Sequence, residues 1–291
     1  MTFAGTLKSL RKQAGMSQEQ LAEKLGVSRQ AITKWETEAG TPDLGNLMAI
    51  SALFDISIDD LLSNGPRTKA PAGNLYESVT EYDIAEPKHF DMKLGGAKRL
   101  VLSGYDGEKL RVRLASDTLS GLQSDFKVRI DDIRRRIDVD VSRRNGITEA
   151  AAKEALSIFV QLPAKYMHKI ECTAIAETVE LCSLDCDSIE LEVKASSIAL
   201  DQVSGSVEID CNLDLDVVCR TLSGEVTINQ VSSTSRIHVP AGTPFTAAAK
   251  GLGTGISYEK SGQPAEPFDT PDAENRIELN GIRSELVICT D

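Results

Sequence analysis

Two periods of hydrophobic positions divide this chain. Up to about residue 63 the apolar residues recur at helical spacing, and from about Tyr76 onward they alternate with polar ones. The first period predicts five helices. One covers residues 3–14 with Leu7 and Leu10 inward. Ser17 caps a second that carries Leu21, Ala22 and Leu25, and Gly26 ends it. Ser28 caps a third with Ala31, Ile32 and Trp35 on one face. A fourth runs from Asp43 to Phe54 with Leu44, Leu47, Met48, Ile50 and Leu53 at core spacing, and a short fifth covers IDDLL after Ser57. NGPRTKAPAGN, from Asn64, has the proline, glycine and small polar content of a linker.

The second period predicts strands over KRLVLSG, KLRVRLAS, FKVRIDD, RIDVDVS and LSIFVQLP, with Asn145-Gly146 as a hairpin turn and a brief helix over residues 148–155. From Lys169 short strands begin near Ile170, Val179, Ile189, Ile198, Val207, Leu215, Val226 and Ile237. VSGSVEI and LSGEVTI are related units about nineteen residues apart. Two strands per unit fit a coil of stacked rungs, or else a regular β-sandwich. VEIDCNLDLDV alternates, with Val207, Ile209, Cys211, Leu213, Leu215 and Val217 on one side and the acids Glu208, Asp210, Asp214 and Asp216 on the other. The expected architecture is therefore multidomain: an all-α five-helix unit over 1–63, a flexible linker over 64–75, and an all-β domain, β-solenoid-like or sandwich, over 76–291.

Two helices joined by a short glycine-containing turn, the second short and polar on its outer face, describe a helix-turn-helix. The outer face of the third helix shows Arg29, Gln30, Thr33 and Lys34. Arg29 and Gln30 stand near its N-terminus, the end expected to enter a major groove, and both side chains can make bidentate hydrogen bonds to base edges. The net charge of −12 contradicts this only until it is split by position. Lys8, Arg11, Lys12, Lys24, Arg29 and Lys34 outweigh Glu19 and Glu23 in the first three helices, whereas Trp35 to Ser63 carries acids alone. Few DNA contacts and a steep dependence on sequence are expected.

LKSLRKQAGMSQEQLAEKLGVSRQAITKWE, followed by PDLGNLMAISALFDISIDDLL, resembles the Cro/cI-type helix-turn-helix (XRE) family of phage and bacterial regulators. The resemblance implies homodimers on a pseudo-palindromic double-stranded DNA operator and transcriptional control, with repression the expected direction. It places Gln18 against a phosphate, Arg29, Gln30 and Lys34 at base-reading positions flanked by Ser28 and Thr33, and Arg11 with Glu36 as an ion pair tying the first helix to the third. The second half resembles bacterial adhesin-like β-repeat domains of unknown function, on LSIFVQLPAKY, the paired VSGSVEI and LSGEVTI units, and NGIRSELVICT. That likeness implies a β-solenoid-like fold and transfers no catalytic residue.

The remaining chemistry narrows the function. None of the six cysteines (172, 182, 186, 211, 219 and 289) forms a CxxC pair, so buried thiols are expected rather than a metal site. The run IDDIRRRIDVDVSRRN interleaves aspartates with arginines and reads as a mixed-charge sheet face rather than a second DNA anchor. No nucleophile elbow, P-loop or dinucleotide fingerprint is present, so a non-enzyme without cofactor is expected. There is no apolar run of about 18 residues and no signal peptide, so the expected location is the cytoplasm, away from membranes. The β domain is expected to serve oligomerisation or to bind an effector or protein partner. The alternative is an antitoxin that neutralises a toxin and regulates its own operon.

Overall fold

The structure is a computed structural model, and it describes residues 3–13, 16–37, 39–54 and 74–290. It divides into two compact units, residues 1–73 and 74–291. The expected fifth helix and most of the expected linker lie outside the described residues.

In the first unit, α1 (Phe3–Gln13), α2 (Gln18–Leu25), α3 (Arg29–Glu36) and α4 (Leu44–Phe54) enclose a core of Leu7, Leu10, Leu21, Ala22, Ile32, Trp35 and Ile50. Met48 departs from the expected core set. It is 58% exposed, because the inward stripe of α4 passes through Leu47, Ile50 and Leu53 and leaves residue 48 on the solvent side.

The second unit begins with β1 (Tyr76–Asp83), β2 (Lys88–Tyr105) and β3 (Lys109–Ser116). A short α5 (Leu122–Asp125) leads into the hairpin β4 (Phe126–Ile133) and β5 (Arg136–Arg143), and α6 (Glu149–Ala155) precedes β6 (Ser157–Pro163). β1, β3 and β6 pair antiparallel, but β6 lies parallel to β2, and β2 is also parallel to β5 and to β7 (Met167–Lys194). Asn145 and Gly146 both take positive φ, as the dipeptide predicts, yet the turn joins β5 to α6 rather than strand to strand. The arginine-rich run forms the β4–β5 hairpin, where Arg129 pairs with Asp131 and Arg136 with Asp138.

Beyond β7 the pairing becomes a parallel ladder. β8 (Ser197–Asp210), β9 (Asp216–Cys219), β11 (Thr234–His238), β16 (Glu285–Thr290) and β13 (Gly255–Lys260) continue one face. The far end of β8, β10 (Glu225–Val231), β15 (Arg276–Ile282) and β12 (Thr246–Leu252) continue the other, and β14 (Gln263–Pro264) pairs only with β13. Thr178 lies opposite Ser197 and Ser197 opposite Asp216, so one rung advances nineteen residues. This is the geometry of stacked rungs, in which like side chains align. Val179, Ile198, Val217, Ile237 and Ile288 form one buried inward column, and Ile189, Val207, Val226 and Ile277 another. Each such burial contributes about 1.5–3 kcal/mol before conformational entropy is counted. Thin rungs filled by branched aliphatics leave little room for rings, which accounts for the low aromatic content.

The corners set this geometry. Gly205 and Gly224 occupy stacked corners at φ +102°, and a Cβ on Gly224 would sit 2.2 Å from the Gly205 carbonyl oxygen. We expect Gly224→Ala to destabilise this unit by about 2 kcal/mol in urea unfolding. Gly146→Ala, with positive φ but open space around it, should lose only about 1 kcal/mol. Equal losses would show that the stacked corners do not constrain the fold. A corner also departs from the expected alternation of VEIDCNLDLDV, which set Leu213 on the buried side. β8 stops at Asp210, Leu213 is 49% exposed, and the side chains of Asn212 and Asp214 accept from Val231 N and Thr234 N on the next rung.

All six cysteines are free and buried. Burial pushes the Cys172 and Cys219 thiols up to about 12, so they act as small hydrophobes of the core. Among the described residues no group of His, Cys, Asp and Glu could hold a metal ion, and no helix is long and apolar enough to cross a membrane.

Candidate nucleic-acid interface

The placement of α3 is fixed by three local devices. Ser17 and Gln20 form a reciprocal capping box at the start of α2, with Ser17 Oγ accepting from Gln20 N and Gln20 Oε1 accepting from Ser17 N at 2.8 Å. Gly26, left-handed at φ 67°, ends α2. Its N–H reaches Glu23 O and the Val27 N–H reaches Ala22 O, so the orphan carbonyls are satisfied. Ser28 Oγ then accepts from Ala31 N at 3.1 Å and starts α3. Ile32 and Trp35 are buried in the core that α3 shares with α1, α2 and α4, which fixes the rotation of α3 about its axis.

That rotation sends Arg29, Gln30, Thr33 and Lys34 outward, and all four are exposed. The side chains of Arg29, Gln30 and Lys34 make no hydrogen bond or ion pair among the described residues, so their donors stay available to an external acceptor. Ser28 is exposed as well, but its hydroxyl is engaged in the cap. The Thr33 hydroxyl donates to Arg29 O at 3.0 Å and to Gln18 Oε1 at 3.3 Å.

Behind this face lies a polar strut. Arg11 donates through Nε to Glu36 Oε1 at 2.6 Å, through Nη2 to Oε2 at 2.9 Å, and through Nη1 to Met16 O at 2.8 Å. The Glu36 side chain is only 2% exposed. Burial alone would push its carboxyl up, but hydrogen bonds from Arg11 and Gln18 and the charges of Arg11 and Lys8 outweigh it and hold it below the usual carboxylate range. For Arg11 the hydrogen bond to Glu36 leads, and its guanidinium is held charged more firmly than usual. One carboxylate thus joins α1 to α3.

Sequence reasoning missed the third member of this strut. Gln18, expected against a phosphate, is half-buried and donates through Nε2 to Glu36 Oε2 at 2.8 Å. It bridges the N-terminus of α2 to both Glu36 and Thr33 of α3. A contact across eighteen residues leaves no local mark, so no signal in the chain announces it. One proton of its amide and one oxygen lone pair remain for an outside partner.

Comparison with known proteins bears on both units. The Helix-turn-helix family model matches residues 7–61. The HTH-type transcriptional activator BcrR of Enterococcus faecalis is 49% identical over 63 residues, which is 22% of this chain and 31% of BcrR; the match therefore spans about a third of that relative's length. The HTH-type transcriptional regulators YobD and YqaE of Bacillus subtilis are 35% and 39% identical over 84 and 88 residues, or 28% and 30% of this chain and 75% and 72% of the relatives. The second unit is similar to a "putative cell adhesion protein" from Clostridium sporogenes, at 14% identity and TM-score 0.38 over 74% of this chain and 99% of the other. It is also similar to a "putative adhesin" from Bacteroides fragilis, at 12% identity and TM-score 0.40 over 75% and 98%. Likenesses that distant say nothing of activity, and the fold of the second unit rests on its own strand pairing. The match to relatives 35% and 39% identical, over about three quarters of their length, makes this chain a member of the XRE-type helix-turn-helix transcriptional regulators.

Proposed function

We propose that the protein is a sequence-specific DNA-binding regulator that reads a major groove with α3. Arg29 and Gln30 would engage base edges near the N-terminus of the helix, and Lys34 a base or phosphate further along. Ser28, Thr33 and the remaining amide capacity of Gln18 would set the register on the phosphates, with the N-termini of α2 and α3 adding favourable dipoles. The observation that carries this reading is the exposed trio of Arg29, Gln30 and Lys34, without partners among the described residues, on a helix whose reverse side is locked by Ile32 and Trp35.

Two such heads would occupy half-sites of a pseudo-palindromic operator about one helical turn apart. The β unit would hold them in one particle or receive an effector, and the protein would act in the cytoplasm. Lys8, Lys12 and Lys24 are exposed on the head, while the chain as a whole stays acidic. Loose phosphate binding is thereby disfavoured and sequence preference sharpened.

Selection of bound sequences from a random DNA pool by the full-length protein tests this. We expect enrichment of a motif with two inverted half-sites. A bound pool no different from the input would sink the proposal.

A further inference from the structure

One inward column of the β unit changes character where its ladder ends. Leu102, Leu181, Leu200 and Cys219 lie in register and are buried, and Val239, buried as well, continues them one residue past His238. The final register pair of β16 and β13 is Thr290 with Lys260, and strand alternation puts both on the inward side, with Ile288 and Tyr258. A hydroxyl and an ammonium thus stand where the earlier rungs carry apolar side chains. Thr290 Oγ1 is buried without a hydrogen-bond partner, while Lys260 is exposed. A buried polar atom left unpaired calls for a group that meets it.

Both side chains line a cavity of about 460 Å³ between residues 239–245 and 265–270. Val239, Pro240, Pro244, Phe245 and Phe268 give it apolar walls. Those walls are braced from both sides. Five of the chain's ten prolines fall between residues 240 and 271. Thr270 N donates to Phe245 O at 2.7 Å, and Asn275 Nδ2 donates to Pro244 O at 3.0 Å. Phe268 packs edge-on against Phe245 and Tyr258, with ring centroids 5.9 and 5.1 Å away. A cap that only sealed the core would close on it, whereas this one is held open. Thr243, Glu266 and Thr270 complete the lining, and like Lys260 their side chains have no hydrogen bond or ion pair among the described residues.

From these walls and this polar lining we infer that the cavity binds an α-amino acid with an aromatic side chain. Lys260 and Thr290 would meet its carboxylate and Glu266 its ammonium. The ring would lie among Phe245, Phe268 and the prolines, where edge and face contacts are both on offer. Glu266 favours a zwitterion over a simple carboxylate, which it would repel. The volume stands toward the small end of ligand pockets, about 300–1,000 Å³, and suits one amino acid better than a peptide or a dinucleotide. Braced walls also spare the ligand the cost of ordering its site. The inference deepens the proposed function, because it rests on the β unit receiving an effector and names that effector's class.

Calorimetric titration of the full-length chain with L-phenylalanine tests it. We expect saturable binding to the natural chain, and none with glycine, which has both charges and no ring. Thr290→Val removes a hydroxyl that has no partner in the free protein. It should leave the β circular dichroism intact and the unfolding midpoint no lower, yet weaken L-phenylalanine about fivefold. Lys260→Met and Glu266→Gln should each weaken it about fivefold as well. Truncated ligands assign the partners. Lys260→Met should not affect phenethylamine, which lacks the carboxylate, and Glu266→Gln should not weaken 3-phenylpropionate, which lacks the ammonium. No saturable binding at millimolar L-phenylalanine overturns the inference. So does binding that the three folded variants leave unchanged, or a Lys260→Met loss equal for L-phenylalanine and phenethylamine. Saturating L-phenylalanine should also shift operator affinity about fivefold or more, and bound ligand without any shift overturns the effector role. The same samples separate the two readings. Base preference in a chain that binds no L-phenylalanine overturns the reading of the cavity alone, and ligand binding without base preference overturns that of α3 alone.

Discussion

Replacing Glu36 with alanine is expected to destabilise the helical head by about 3 kcal/mol, a large fraction of what a domain of this size possesses. The loss arises from the partners more than from the carboxylate itself. Without Glu36, the Arg11 guanidinium, whose side chain is 11% exposed, keeps only Met16 O, and Gln18 Nε2 loses its acceptor. Glu36→Gln retains the volume and one acceptor and should lose less. Trp35 is the only tryptophan and is buried in α3, so its fluorescence reports unfolding of the head within the intact chain. The pH dependence has a defined sign. The folded Glu36 carboxyl titrates below its ordinary value of 4.5, so its stabilisation is complete above that value and fades as pH falls through the lower folded one. The glutamine variant should lack this acid limb. A Glu36→Ala head within about 0.5 kcal/mol of the natural one would show that the strut does not hold α3 in place.

Arg29→Ala should weaken binding to the selected operator by about 1–3 kcal/mol and relax the base preference at one position in each half-site. Binding to unrelated duplex should change little, since that is dominated by phosphate contacts. Arg29→Lys sharpens the comparison. It keeps the charge but loses the planar fork, so it should preserve non-specific binding while discrimination falls. Titration of labelled duplexes carrying each base at the affected position measures both quantities. A uniform loss for every sequence would move Arg29 from the bases to the phosphates.

Much of the head was legible in the chain because its determinants are local. Ser17 and Gln20 lie three residues apart, Gly26 ends α2 by its own conformation, and Ile32 and Trp35 share a face through helical periodicity. The role of Gln18 was not legible, because it depends on where Glu36 arrives after two turns of chain. In the second unit the nineteen-residue spacing was visible, since stacked corners such as Gly205 and Gly224 repeat in sequence as they do in space. The continuity of β7 was not. The chain turns its corner at Ser183, with φ 53°, where neither glycine nor proline marks the bend. The end of the second ladder at β12 is likewise a property of the last rung's position, not of any residue in it.

Methylation interference tests most directly whether α3 lies in a major groove. Dimethyl sulfate modifies guanine N7 in the major groove and adenine N3 in the minor groove, so one lane reports both surfaces. On the selected operator we predict interference at guanines in two clusters about one helical turn apart, with adenines between them unaffected. Undiminished binding to N7-methylated operator, or interference confined to adenine N3, would contradict it.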